Sequence, residues 1–351
     1  SLRSLNVIFA NDKTVTASGV QIDHYIADNL SDLMPDRQQI TINAEWFTSM
    51  VDGTSLKAIS NDGGGSLTFS SSGSTGRPKL IRCSLASWRS SLAARTKRTD
   101  IPFGLHRVMS VVGATARWAM DTHFSALLEG GAVVALTTEK SAMPDYVDMY
   151  RISFLSLTPE LMRQITAYEN SKQLLSSVQC VEFGGAAIST SLLQSFCRVC
   201  DAKIYLRYGA TELGQLTHAI IDPMAEFPDG YIGRICRDDS EVGFFDAQRN
   251  LLPDATEGLI GIRVTGAASG THYLSENDDP EDIAGIEGEW FFPGEIMRQE
   301  GEDYFLIGRA KAIANLGGQK VSLDALQIAL EAELPNHRIV VVNAAGGSGF
   351  D

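Results

Sequence analysis

The chain has 351 residues, 44% of them hydrophobic, which suits one large or two unequal domains with a sizeable core. Its 29 basic residues against 43 acidic ones leave a net charge of −14, which sets nucleic acid and anionic membranes aside as main partners. No apolar run reaches the ~18 residues that suggest a membrane span, the first residues lack a signal-peptide core, and five scattered cysteines suit a reducing cytoplasm.

Asn6–Ala10 is a short apolar strand candidate, and the spacing of Ile22, Tyr25, Ile26 and Leu30 predicts a helix over Val20–Leu33. Residues 34–65 are mixed and end in the run Asn61-Asp62-Gly63-Gly64-Gly65. Next comes Ser70-Ser71-Ser72-Gly73-Ser74-Thr75-Gly76-Arg77-Pro78-Lys79. Alternating Ser66–Phe69 precedes it and Leu80–Cys83 follows it, so it is a tight loop between two strands. Glycines let backbone N–H groups turn inward, hydroxyls add donors, and a lysine adds a point charge. Consecutive inward N–H groups make a concave anion site, and the chemistry it suits is a polyphosphate. It is not a Walker A loop, which needs Gly-Lys-Ser/Thr opening a helix. A flexible Ser/Gly linker is the plainer alternative, but a linker needs neither the closing Arg-Pro-Lys nor two flanking strands.

Ser84 can cap a helix carrying Leu85, Trp88 and Leu92. Val108–Val112 reads as a strand, Trp118–Leu128 as a helix and Ala132–Leu136 as an apolar run. Ile152–Leu157 is followed by Thr158-Pro159-Glu160, a good helix start with Pro at the first helical position. The same beat repeats: strand Val178–Phe183, loop Gly184-Gly185-Ala186-Ala187, helix Thr190–Cys200, strand Lys203–Tyr208 ending in Gly209-Ala210-Thr211-Glu212. Such units predict an α/β layer with a largely parallel sheet, and ligands of such sheets bind outside the carboxyl ends of the strands. That puts Gly184–Ala187 and Gly209–Glu212 near one crevice. Cys197 and Cys200, within one helix and with no second pair at metal spacing, read as a buried thiol pair.

Beyond about residue 215, short strands and frequent turns predict a smaller β-rich subdomain, with Ser275–Glu281 as an acidic exposed loop. Trp290–Glu295 and Tyr304–Arg309 read as paired strands. A hairpin around Gly317-Gly318, a helix over Leu323–Leu334 and a strand over Ile339–Val342 follow.

Together these pieces resemble the adenylate-forming superfamily: acyl-CoA synthetases, nonribosomal peptide synthetase adenylation domains and luciferases. Ser71–Lys79 looks like its Thr-Ser-Gly-Ser-Thr-Gly-x-Pro-Lys phosphate loop. Gly184–Ala187 looks like its adenine-side glycine loop, and Tyr208–Glu212 like its Tyr-Gly-x-Thr-Glu motif. Trp290–Glu295 with Gly308-Arg309 looks like its ribose site and hinge. The four stand in family order over about residues 66–321. The resemblance implies an adenylation core over residues 1–307 (α/β layers to 214, β-rich from 215) and a hinge with a partial C-terminal lid over 308–351.

It also implies roles. Ser71, Ser72, Gly73, Ser74, Thr75, Gly76 and Lys79 hold the β- and γ-phosphates of ATP. Gly185, Ala186 and Ala187 line the adenine, with Tyr208 and Gly209 beside it. Thr211 contacts the α-phosphate and Glu212 binds Mg²⁺, a metal usually held by one carboxylate plus phosphate oxygens and waters. Glu295 takes the ribose hydroxyls where the family has Asp, and Arg309 assists at the ribose or α-phosphate. Lys311 falls at the hinge position. Taken singly, Glu212 also fits a helix-start carboxylate favoured by the dipole, Arg309 a surface ion pair, and Gly184-Gly185 a plain strand-to-helix turn.

Two parts are short against the family: the stretch before the phosphate loop, where a whole α/β subdomain is expected, and the lid, where no match to the family's catalytic lysine is found. The implied chemistry is attack of a carboxylate on the α-phosphate, release of pyrophosphate, and transfer of the acyl group from acyl-AMP to a thiol, either CoA or a carrier-protein phosphopantetheine. Without the lysine, slow adenylation is expected. Peptide-synthetase domains place an aspartate near the start of the segment matching Ala116–Leu128. Here Ala116, Arg117 and Trp118 stand there, which favours an aryl or acyl acid, although nearby Asp121 leaves an amino acid open. Arg117 is expected to face solvent, with a second substrate carboxylate as the other reading. A non-catalytic nucleotide- or carrier-binding module is the rival to an enzyme.

Overall fold

The computed structural model describes residues 6–9, 24–27, 38–41, 65–71, 79–112, 116–135, 143–186, 188–222, 228–264, 271–273, 285–316 and 319–323, with single positions from 326 to 341. The first strands are β1 (Asn6–Phe9), β2 (His24–Ala27) and β3 (Gln38–Thr41). β2 and β3 pair in parallel, which corrects the helix expected over Val20–Leu33 at His24–Ala27. Tyr25 and Ile26 fit helical spacing, but they are also strand formers, and tertiary pairing decides such short segments.

β4 (Ser66–Ser71) and β5 (Lys79–Ser84) are antiparallel and close with Ser71 opposite Lys79. The strand ends on either side of residues 72–78 therefore meet at one point of the sheet. β1 joins β4 in parallel. α1 (Leu85–Arg98) starts at Ser84, whose hydroxyl accepts from the Ser87 N–H at 3.0 Å. Ser84→Ala should cost about 1 kcal/mol, read as a lower urea midpoint at unchanged slope. An unchanged midpoint would assign the helix start to strand pairing alone.

The chain then alternates: β6 (Arg107–Ser110), α2 (Arg117–Leu128), β7 (Ala132–Ala135), α3 (Met143–Met149), β8 (Phe154–Leu157), α4 (Pro159–Thr166), α5 (Ser171–Leu174), β9 (Cys180–Phe183), α6 (Thr190–Cys197) and β10 (Lys203–Ala210). As expected, Thr158 caps α4, accepting from the Leu161 N–H. The strands lie in the order β7-β6-β8-β9-β10, all parallel.

Every residue of β8 and β9 is buried, as parallel strands covered on both faces require. Their alternation assigns the two faces. Leu155, Leu157, Val181, Phe183, Ile204 and Leu206 share one core with Leu161, Met162 and Ile165 of α4 and Leu193 and Phe196 of α6. Phe154, Cys180 and Tyr205 share another with Ala126 of α2. Ser156, Glu182 and Arg207 have the parity of this second set, so the same face turns polar toward the carboxyl ends of the strands. Cys200 is buried, and burial pushes its thiol up to about 12.

Beyond β10 the pairing turns antiparallel. β11 (Gly214–Ile221), β12 (Tyr231–Ile235), β13 (Ser240–Phe245) and β14 (Glu257–Val264) are followed by β15 (Thr271–Tyr273), β16 (Gly285–Glu287), β17 (Trp290–Phe292), β18 (Glu295–Glu300) and β19 (Asp303–Arg309). β15 crosses to pair with β5. The others extend the parallel half into one sheet of thirteen described strands, running β16-β17-β14-β18-β19-β12-β11-β10, with β13 on β14. The pairing expected of Trp290–Glu295 with Tyr304–Arg309 holds only at its end, where Glu295 faces Arg309. β17 pairs with β14 and β16 instead. Pro293 and Gly294 (φ +77°) break the strand, and Trp290 and Phe292 pack edge-on against Phe245 at 5.1 and 5.0 Å.

β20 (Ile313–Leu316) and β21 (Gln319–Ser322) form the expected hairpin. Of the helix expected over Leu323–Leu334, the described residues 323, 326, 327, 329 and 330 are helical. Ser275–Glu281, and Ile339–Val342 apart from Val341, lie outside the described residues.

Candidate active site at the carboxyl ends of β9 and β10

β9 ends alongside β10, and the chain leaving it runs against the backbone of that strand. A Cβ on Gly184 would lie 2.5 Å from the Arg207 carbonyl oxygen, so only glycine permits that approach. β10 then turns back on itself rather than entering a helix. Ala210 pairs with Gly214, and the Leu213 N–H donates to the Ala210 carbonyl at 3.1 Å. Thr211 and Glu212 thus occupy a hairpin tip, both half-buried, and the reading of Glu212 as a helix-start carboxylate is corrected.

At this tip the structure brings together four of the residues singled out in the sequence. The Tyr208 hydroxyl donates to the Glu295 carboxylate. Arg309 stands opposite Glu295 in the β18–β19 register and is exposed. Burial, then the charge of and hydrogen bond to Glu295, then Glu212 hold the Tyr208 phenol well above its ordinary range, with Arg309 opposing. Tyr208 therefore stays a protonated donor. Glu295 is longer than the family's Asp, and the Tyr208 hydroxyl anchors its far end. Gly185, with φ +83°, and Ala186 are exposed at the end of β9. Ser72, Gly73, Ser74, Thr75, Gly76 and Ala187 lie outside the described residues, and Ser71 and Lys79 are described only as the strand pair at the loop mouth.

Beneath the tip runs a charged layer that spacing alone does not reveal. Glu182 is fully buried and accepts from Arg95 Nη2 at 2.8 Å on both oxygens and from the Trp118 indole at 2.7 Å. Arg207 Nη1 lies 4.0 Å from it. Burial pushes the Glu182 carboxyl up, but Arg95, Arg207 and the two hydrogen bonds outweigh it and hold the group below its ordinary value. Burial lowers Arg207 to about 10, with Glu182 opposing. Trp118 carries the Arg207 guanidinium 5.1 Å from its ring centroid and reaches within 3.9 Å of a Cβ placed on Gly185.

Arg117 is only 3% exposed, not solvent-facing as expected. Its guanidinium donates to the carbonyls of Thr211 at 2.8 Å and Glu212 at 3.0 Å, which removes it from the solvent. Asp121 is 2% exposed and accepts from the Trp88 indole at 2.8 Å. The sequence did hold a trace of this layer: Glu182 and Arg207 are charged residues flanked on both sides by apolar or aromatic neighbours within their strands.

A single half-buried carboxylate at the tip fits a hard cation that takes its other ligands from phosphate and water. Among the described residues no cluster of three or more His, Cys, Asp or Glu offers a cage of protein ligands. Among them, too, no helix is long and apolar enough to cross a membrane.

The profile of the AMP-binding enzyme family matches residues 66–272, more than half of the sequence, and the chain belongs to that family. Triostin synthetase I from Streptomyces triostinicus is 25% identical over 261 residues, 73% of this chain and 48% of its own length. The mitochondrial acyl-coenzyme A synthetase ACSM2B from Homo sapiens is 28% identical over 283 residues, 76% of this chain and 46% of its own. O-succinylbenzoate coenzyme A synthetase (MenE) from Bacillus subtilis, in complex with ATP and magnesium ion, matches with a TM-score of 0.61 at 16% identity, over 76% of this chain and 55% of that one. The fold is that of the N-terminal domains of adenylate-forming enzymes. The chain spans about half the length of these three relatives.

Proposed function

We propose that the chain activates a small carboxylic acid with ATP. A carboxylate oxygen attacks the α-phosphorus, the bond to the pyrophosphate oxygen breaks, and acyl-AMP remains for transfer to the thiol of CoA or of a carrier-protein phosphopantetheine. The observation that carries this reading is the constellation at the strand ends, Tyr208 bonded to Glu295, Arg309 opposite it and Glu212 on the hairpin tip, in a chain of the AMP-binding family. Ser71, Ser72, Ser74, Thr75 and Lys79 hold the β- and γ-phosphates, Gly185–Ala187 and Tyr208 the adenine, Glu295 the ribose, and Arg309 the ribose or α-phosphate. Thr211 binds the α-phosphate and Glu212 the Mg²⁺. When bound, Mg²⁺ neutralises phosphoryl charge. The chain's own part is positioning and charge stabilisation. Residues 1–307 are the adenylating core, the hinge begins at Gly308, and the setting is cytoplasmic.

The acid carries no α-ammonium group. Asp121, the carboxylate open to an amine, is buried and taken by Trp88, with Arg117 Nε at 4.0 Å. Arg95, Arg117 and Arg207 engage Glu182 and Asp121, so neither buried carboxylate is left to pair with an ammonium. The test is mass-spectrometric detection of acyl-AMP with ATP, Mg²⁺ and a panel of aryl, fatty and amino acids. An aryl or fatty adenylate is expected. An aminoacyl adenylate would overturn the substrate reading, and ATP binding with no adenylate from any acid would favour the non-catalytic module.

A further inference from the structure

We infer that Arg117 is a positioning residue that clamps the Thr211–Glu212 turn to the base of the phosphate loop. Its role toward a nucleotide rests on the function proposed above; the clamp itself does not. Arg117 opens α2, and one nitrogen, Nη1, binds both carbonyls of the turn. Its guanidinium carbon lies 5.8 Å from the ring centroid of Phe69, two residues before Ser71 on the strand that enters the phosphate loop. Gly214 closes the turn at φ +80°. A Cβ there would lie 3.1 Å from Arg117 Nη2 and 3.2 Å from Ser91 Oγ, so the backbone leaves room for the guanidinium and little more.

A hairpin tip has few internal hydrogen bonds. Among those described, the Leu213 N–H to the Ala210 carbonyl holds this one from inside; from outside, Arg237 holds the Leu213 carbonyl and Arg117 the carbonyls of Thr211 and Glu212. Buried carbonyls need donors. A guanidinium supplies several donors in a fixed plane, whereas an ammonium is a point charge on a flexible stem. Asp121, with its oxygen 4.0 Å from Arg117 Nε and its own bond from Trp88, keeps the positive charge compensated. One buried side chain therefore ties α2, β4 and the β10–β11 tip, and fixes the backbone that carries the Thr211 hydroxyl and the Glu212 carboxylate.

The experiment compares the whole chain with Arg117→Met and with Arg117→Met/Asp121→Asn, the second removing the carboxylate that the first leaves uncompensated. Amide hydrogen exchange over residues 208–216 is followed without nucleotide, and calorimetry measures binding of ATP with Mg²⁺ and of adenosine. Exchange at the tip is expected to rise roughly 10-fold, and affinity for ATP with Mg²⁺ to fall roughly 10-fold with adenosine unchanged. Arg117→Lys should recover only part of either. Unchanged exchange at the tip overturns the clamp. Equal losses for ATP and adenosine overturn the positioning role and leave a packing role. A parent chain that binds neither ligand sinks the proposed function, while the exchange result still decides the clamp.

Discussion

Replacing Arg95 with methionine should destabilise the chain by about 3–5 kcal/mol, the range for removing one partner of a buried ion pair. Arg95 is 5% exposed and Glu182 is fully buried. The guanidinium also donates to Gln215 at 3.0 Å and Thr122 at 3.2 Å and lies 4.8 Å from the centroid of Phe103. Methionine keeps the apolar stem but loses the guanidinium, and leaves Glu182 with the Trp118 N–H and an arginine 4.0 Å away. The cost is chiefly that of a buried carboxylate losing its best partner.

The pH dependence carries the same signature. Glu182 is held below its ordinary value of 4.5, so its contribution is fully present above that value and is lost as pH falls through the folded one. Without Arg95 the burial that opposes ionisation is less offset, and acid destabilisation should begin at a higher pH. Urea midpoints across the acid range would read both effects. Arg95→Met/Glu182→Gln should cost less than the sum of the singles, because they share one network. A single-variant loss below about 1 kcal/mol would place the charge in water and overturn the account.

What the sequence disclosed was local. The strands around the phosphate loop, the Thr158-Pro159 helix start and the Gly184 turn were legible because period, cap and turn chemistry act within a few residues. At Tyr25-Ile26 such signals fit either element, and the partner strand at 38–41 decided. The Tyr208–Glu295 bond joins residues 87 positions apart, and Arg95 reaches Glu182 across the same separation. No spacing rule encodes such a pairing. The family resemblance assigned Tyr208 and Glu295 to one nucleotide without indicating their direct bond. It set Arg117 where the family has an aspartate but gave no hint of its partners, which are main-chain carbonyls that any sequence would offer. The charged layer left one visible trace, Glu182 and Arg207 between apolar or aromatic neighbours, and that trace could be read only once both faces of their strands were known to be covered.

On the function proposed above, replacing Glu212 with alanine should lower the rate of acyl-AMP formation roughly 10²–10³-fold, the scale set by removing one preorganised stabiliser of developing charge. The fold should be nearly untouched. Glu212 is half-buried on a hairpin tip, and the group that Arg117 grips is its backbone carbonyl, which alanine retains. Thermal melting should therefore stay close to that of the parent while turnover collapses. If the carboxylate acts by holding Mg²⁺, raising the Mg²⁺ concentration should restore part of the rate, and Glu212→Asp should lie between the two. Adenosine should bind the variant unchanged, because the hydrogen bond that anchors Tyr208 goes to Glu295, not to this carboxylate. Stopped-flow release of pyrophosphate across a Mg²⁺ series distinguishes the outcomes. A variant that loses rate equally at all Mg²⁺ concentrations would make Glu212 an electrostatic residue rather than a metal ligand. One that keeps its rate would move the charge-stabilising role to the phosphate loop and Arg309.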